Sequence, residues 1–195
     1  NMSVRPMLNI RSGSRERREI HTKQRTGTLR HERHDRQKGC EEVKIIESIS
    51  VSENATLFSL SDSPADISFI AGIFEKIAEA GIDVDMISQF LPNSSHAGLS
   101  FTVSDDDFGG VLEIATQLRA ENKKIKISVS SGNCKISVSG AEMEGRPGVA
   151  ARVFKAASDA GCDIRMINTS ETEISLLVVK ADVDATVAAI KKEFE

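Results

Sequence analysis

Two stretches of this chain repeat each other without a gap. Residues 73–87 read IFEKIAEAGIDVDMI, and residues 153–167 read VFKAASDAGCDIRMI, an offset of 80 positions. Each copy carries apolar residues at helical spacing, halts at Ala-Gly, and turns into an apolar stretch opening on Asp. A helix–Gly–strand unit that occurs twice predicts two copies of one small α/β module. It also directs the search for function to matching points of the two copies.

The rest of the pattern fits that reading. Strands are expected over 43–51 and 55–60, then a helix over 66–80 with Ile70, Ile73, Phe74, Ile77 and Ala78 on one face. A strand over 83–91, a hairpin loop at Pro92-Asn93-Ser94-Ser95 and an alternating strand over 99–103 follow. Asp105-Asp106-Asp107 then opens a helix to about residue 120, where carboxylates suit the positive end of the helix dipole. KIKISVS at 124–130 alternates strictly. From residue 55 the order is therefore β-α-β-β-α-β.

The second copy has strands over 135–138, 163–167 and 173–179 and helices ending at Gly161 and spanning 182–194. It has β-α-β-β-α and lacks a last strand, whereas the strand at 43–51 belongs to no module. The expectation is that 44–49 pair with the second sheet, so that the first module is inserted into the second. The expected division is a basic tail at 1–42, a strand completing the second module at 43–52, a first module at 53–132 and a second at 133–195.

Charge is uneven. Residues 1–42 hold 11 Lys/Arg against 6 Asp/Glu, and the remainder holds 14 against 23. The acidic body is expected to bind neither nucleic acid nor a membrane. The tail has few apolar residues and no aromatic between its basic ones, which predicts a disordered segment without a base-stacking platform. Cys40, Cys134 and Cys162 are odd in number and scattered, which argues against a disulfide scaffold or zinc site. Cys162 takes the slot of Ile82 in the first copy and reads as a small buried hydrophobe. Met86 and Met166 read as core, and His96 as solvated. A cytoplasmic protein is expected, with no run of 18 apolar residues.

The order β-α-β-β-α-β, with Pro147-Gly148 at the second module's first loop and Ala-Gly-(Ile/Cys)-Asp before the second strand, resembles the ACT domain. More narrowly, GIDVDMISQ at 81–89, RPGVAARVF at 146–154 and MINTSETEISLLV at 166–178 resemble the regulatory half of aspartate kinase. The resemblance covers about 43–195. It implies an α+β fold of two ferredoxin-like modules, the first inserted into the second. It implies a free amino acid as effector, lysine or threonine or both, acting in feedback control of lysine, threonine and methionine synthesis. It implies a homodimer, or assembly on a catalytic kinase subunit. The chain has no phosphate-cradling loop, so no cofactor is expected in it; ATP and magnesium would belong to the kinase half that phosphorylates aspartate. The alternative is a stand-alone tandem sensor that regulates another enzyme or transcription. A small enzyme is disfavoured, since no nucleophile–base pair is discernible.

The chemistry fits an amino acid. A helix start offers unpaired N–H groups and a positive dipole to a carboxylate. At 147–150 Pro147 fixes the turn, Gly148 lets a ligand approach, and Val149 and Ala150 present N–H groups. Asp83 or Asp85 can take the ammonium. Against this, Asp after Ala-Gly is commonly a turn residue bonded to its own backbone. The resemblance adds Val84 and Gln89 in the first module, Asp163, Ile164, Thr169 and Ser170 in the second, and Asp62 in the first loop. One departure stands out: Ile67-Ser68-Phe69 occupy the places of Pro147-Gly148-Val149.

Overall fold

The computed structural model describes residues 44–93 and 96–195. The expected basic tail, Cys40, Val43 and Ser94-Ser95 of the hairpin lie outside the described residues.

Among the described residues four α-helices and six strands follow in the order β1 (Ser48–Pro64), α1 (Ile67–Glu79), β2 (Ile87–Asn93), β3 (His96–Ser104), α2 (Phe108–Glu121), β4 (Lys126–Ser139), α3 (Val149–Asp159), β5 (Ile164–Thr169), β6 (Glu173–Val179) and α4 (Val183–Phe194). The strands form one antiparallel sheet in the order β2-β3-β1-β4-β6-β5.

The two central strands are shared. The second half of β1 pairs with β3 and with the first half of β4, as Phe58 opposite Phe101 and Val129 shows. Its first half pairs with the second half of β4, Ser48 opposite Ser139 and Ser52 opposite Lys135. The second half of β4 also pairs with β6. Each module therefore has four strands, and the first is inserted into the second.

Two expectations change. The strands expected separately at 43–51 and 55–60 are one strand, and so are those at 124–130 and 135–138. The expected divisions near residues 52 and 132 fall inside β1 and β4. Asn54 and Gly132 adopt left-handed backbone, with φ of 62° and 70°. These positions absorb register shifts as bulges rather than turning the chain. The buried Asn133 side chain spans the irregularity, donating to the carbonyls of Ala55 at 3.1 Å and Ser130 at 2.6 Å. Pairing of the leading segment also starts late. Glu47 N–H donates to the Ser139 carbonyl at 2.8 Å, while Lys44, Ile45 and Ile46 precede the ladder. Ile46 instead packs into the second core.

Both repeated helices end in the same way. Gly81 and Gly161 are left-handed, at φ 72° and 71°, a conformation that costs a side-chain-bearing residue energy. The next N–H then folds back, Ile82 onto Ile77 O at 3.2 Å and Cys162 onto Ala157 O at 3.0 Å. After this turn the first copy stays irregular until Ile87, so the strand expected from residue 83 begins four residues late. Thr102 explains the delay. Its backbone bonds Asp85 N–H and the Met86 carbonyl, and its hydroxyl takes Met86 N–H at 3.0 Å in place of a regular ladder.

Alternation along the strands sorts the cores. Phe58, Leu60, Leu99 and Phe101 meet α1 and α2, with Phe74 and Phe108 packed alongside. Ile136, Val138, Leu176 and Val178 meet α3 and α4. The opposite face holds a small cluster from both modules, Leu57, Met86, Met166 and Leu177. The methionines are thus core, at the seam between modules. Cys134 is buried and Cys162 half-buried, and burial pushes both thiols up.

Candidate functional site

Seven of the residues suggested by the sequence line three separate hollows. The first surrounds the start of α3. Gly148 caps this helix in left-handed backbone at φ 94° and, as a glycine, offers no side-chain cap to the helix's first N–H groups. Ile45, Gly145, Arg146, Pro147, Gly148, Val149 and Arg152 line a hollow of about 420 Å³ there. Arg146 is held by Glu142 at 2.8 Å. Arg152 lies over the Phe194 ring at 4.1 Å and donates to Glu193 at 2.8 Å. Val149 turns its side chain into the second core, so only its backbone is available to a ligand. Ala150 is half-buried against the same core.

The second hollow lies on the seam. Asp85 and Met86 of the first module face Lys135, Asn168, Thr169, Ser170, Glu173 and Ser175 of the second across about 300 Å³. Lys135 Nζ sits 2.7 Å from Asp85 Oδ1 and 2.6 Å from Oδ2. The Lys135 side chain is 19% exposed and that of Asp85 51%, so water reaches the carboxylate side of the pair. Ser170 also has a turn role: its hydroxyl accepts the N–H of Glu173 at 3.0 Å and of Thr172 at 3.3 Å. Glu173 accepts from the Ser175 hydroxyl at 2.7 Å.

The third hollow contains Asp62, left-handed at φ 57° in a bulge of β1. Its carboxylate lies 2.8 Å from Lys126 and raises that ammonium's pKa through the hydrogen bond. Arg119, Lys123 and Lys124 share this hollow.

The remaining candidates line none of these three hollows. Asp83 and Gln89 are exposed, and Val84 packs on the first core. Asp163 pairs with Arg165 at 2.7 Å, and its N–H donates to the Asp182 carboxylate at 2.9 Å; neither bond is the side-chain turn to its own backbone weighed above. Ile164 joins the β5 ladder opposite Val178. The sequence reading thus joined a helix start and an acidic strand that the structure keeps in different hollows. It missed Lys135, Asn168, Glu173 and Ser175. The available signal was the alternation in CKISVS, which places Lys135 and Ser137 on one face, opposite Cys134 and Ile136.

Two β-α-β-β-α-β units interlocked through shared strands, one with a Pro-Gly helix start, define a tandem ACT-type protein. The ACT domain family profile matches residues 136–194. The regulatory subunit of aspartate kinase from Thermus thermophilus is similar, at 30% identity and a TM-score of 0.71 over 78% of this chain and 100% of that one. Aspartate kinase from Synechocystis is similar at 28% identity and a TM-score of 0.73, over 78% of this chain and 27% of that one. Among curated relatives, the aspartokinase of Geobacillus stearothermophilus is 32% identical over 71% of this chain and 33% of its own length. The chain belongs to the aspartate kinase family, as its ACT-domain regulatory region. It spans about a third of the length of the curated relatives it matches.

Proposed function

We propose that the chain senses a free amino acid, lysine or threonine or both, and relays its presence to an aspartate kinase catalytic half. The observation that carries this reading is the start of α3. In the first module Asp66 caps α1 itself, accepting Ser68 N–H at 3.0 Å. In the second, Gly148 supplies no side-chain cap, and the helix start at Gly148 and Val149 lines a hollow with Arg146 and Arg152. Unpaired N–H groups at the positive end of a helix suit a carboxylate. Catalysis stays outside this reading: phosphorylation of aspartate, with ATP and magnesium, belongs to the kinase half.

The partner is a catalytic kinase subunit or a second copy of this chain. Ile87 and Phe90 on the outer strand β2 are 47% and 58% exposed, an apolar edge that a neighbouring subunit would cover. Sedimentation as a monomer, with and without lysine or threonine, would argue against self-association. The sensing claim is tested by calorimetric titration of the full chain with L-lysine, L-threonine and L-methionine. Heat of binding with lysine or threonine supports it; no binding by any of the three overturns it.

A further inference from the structure

The hollow beside Asp62 has a lining unlike the other two. It is the largest of the three, about 540 Å³, and lies between the end of α2 and the start of β4. Four cationic side chains line it: Arg119 from the last turn of α2, Lys123 and Lys124 from the connection, and Lys126 from β4. A single carboxylate stands against them, and it is engaged with Lys126 at 2.8 Å. Arg119, Lys123 and Lys124 enter no ion pair among the described residues. Glu121, the carboxylate next to them in sequence, is engaged by Lys76 at 3.3 Å instead. Three positive charges are thus in surplus here, in a body over 43–195 where Asp and Glu outnumber Lys and Arg by 23 to 14.

The matching corner of the second module is different. There α4 is the second helix, as α2 is in the first module, and residues 44–49 lead into its fourth strand as 123–127 lead into β4. The charged residues lining the hollow in that corner are Lys44, Lys191, Glu47 and Glu195, two of each sign. The same corner of the same fold is therefore balanced in one module and cationic in the other. Like charges around one hollow add their potentials, and an anion held among them relieves the repulsion.

The chemistry of the lining selects the anion. Arg119 offers a planar fork to phosphate oxygens, and the lysines act as point charges. Over 126–130 β4 pairs only with β1, since its ladder to β6 begins at Asn133. Main-chain N–H groups on that open edge add neutral donors. Only Ile125 and Ile127 are apolar in the lining, so no aromatic ring is present to stack a base. A single phosphate carries about −1.5 to −2 at neutral pH, less than the surplus it would meet.

We propose that this corner of the first module binds a small molecule through two or more linked phosphates, held by Arg119, Lys123 and Lys124. Asp62 offsets Lys126 and leaves the other three cations to the ligand. An inorganic polyphosphate and the phosphate tail of a nucleotide present the same chemistry. The site is independent of amino-acid sensing at α3.

The test is calorimetric titration of the full chain, without magnesium, with sodium tripolyphosphate, ATP and inorganic phosphate. R119Q/K123Q/K124Q removes the three surplus charges. K44Q/K191Q/K192Q removes as many from the matching corner of the second module. It reports what overall charge and the basic residues of 1–42 contribute. Thermal melts establish that both variants are folded. The expected result is that K44Q/K191Q/K192Q binds tripolyphosphate within about twofold of the unaltered chain, while R119Q/K123Q/K124Q loses roughly tenfold to a hundredfold. Inorganic phosphate binds more weakly than tripolyphosphate. ATP that matches or exceeds tripolyphosphate points to a nucleotide as the source, and weaker ATP binding points to the inorganic anion; both support the site. Equal losses in the two variants would show that the anion reads overall charge, and would overturn it. So would tripolyphosphate that fails to bind the unaltered chain. Either failure leaves the titrations with lysine and threonine untouched.

Discussion

The two modules share a topology but solve the start of their first helix in opposite ways. The first closes α1 with its own carboxylate, Asp66 onto Ser68 N–H. The second opens α3 with left-handed Gly148 and leaves its first N–H groups without a side-chain cap. The cores differ as well. Phe58, Phe101, Phe74 and Phe108 pack with ring centroids 5.7 to 6.1 Å apart in the first. The second is built from Ile136, Val138, Leu176, Val178 and Ile190. The two copies keep one scaffold and differ at the start of this helix, where the proposed sensing takes place. A helix that caps itself has no need of a ligand, and one that does not retains room for one.

The comparison can be broken most forcefully through the cores. Phe101→Ala removes a side chain that is 2% exposed and touches two other rings, and should cost about 3–5 kcal/mol. Leu176→Ala in the second core should cost about 2–5 kcal/mol. Because β1 and β4 run through both modules, each variant should unfold the chain in one transition, with probes in either module coinciding. Two separated transitions, one per module, would contradict the shared-strand account.

The next effect isolates the interlock. A Cβ on Gly140 would lie 2.1 Å from the Ile45 carbonyl oxygen, where the leading segment crosses β4's end. Gly140→Ala should destabilise the chain by roughly 1–3 kcal/mol, read from the midpoint of urea unfolding. An unchanged midpoint would mean that the leading segment is not held there.

The helix starts give changes that are no larger, and only one of the two should touch binding. Asp66→Ala should cost about 0.5–2 kcal/mol of stability and leave amino-acid affinity unchanged. Gly148→Ala forces a side chain into φ 94°, and should cost about 1–3 kcal/mol and weaken binding at the α3 hollow. If the two variants affect binding equally, the contrast between the modules is wrong.

The smallest effect is chemical. Burial raises the Cys134 and Cys162 thiols above their ordinary value, so less thiolate is present at neutral pH than in an open peptide. Peptide mapping after iodoacetamide treatment near pH 8 should find both slow to react in the folded chain and fast in urea. Rapid native alkylation of Cys162 would show that its environment is open.

Much of the fold was legible because it rests on local rules. The repeat at 73–87 and 153–167, the glycine stops and the strand count are all carried by neighbours in sequence. So was the insertion, since a missing strand at one end and a surplus strand at the other admit one simple repair. The continuity of β1 and β4 was not legible. The gaps left between the expected strands, at 52–54 and 131–134, read as breaks, and only pairing on both sides shows that Asn54 and Gly132 sit in bulges. Three of the residues lining the seam hollow were singled out in the sequence, but their grouping was not legible. Asp85, Thr169 and Ser170 meet because two modules fold toward one seam, a tertiary fact without a sequence period. Lys135 was invisible for the same reason: a lysine on an alternating strand reads as a solvated face until Asp85 is found opposite it.

Hydrogen–deuterium exchange of the full chain, with and without saturating L-lysine or L-threonine, tests most directly that the two modules form one sensing unit. The account predicts that the effector raises amide protection together at residues 85–87 of the first module and 168–175 of the second. Protection confined to one module, or none with either amino acid, would contradict it.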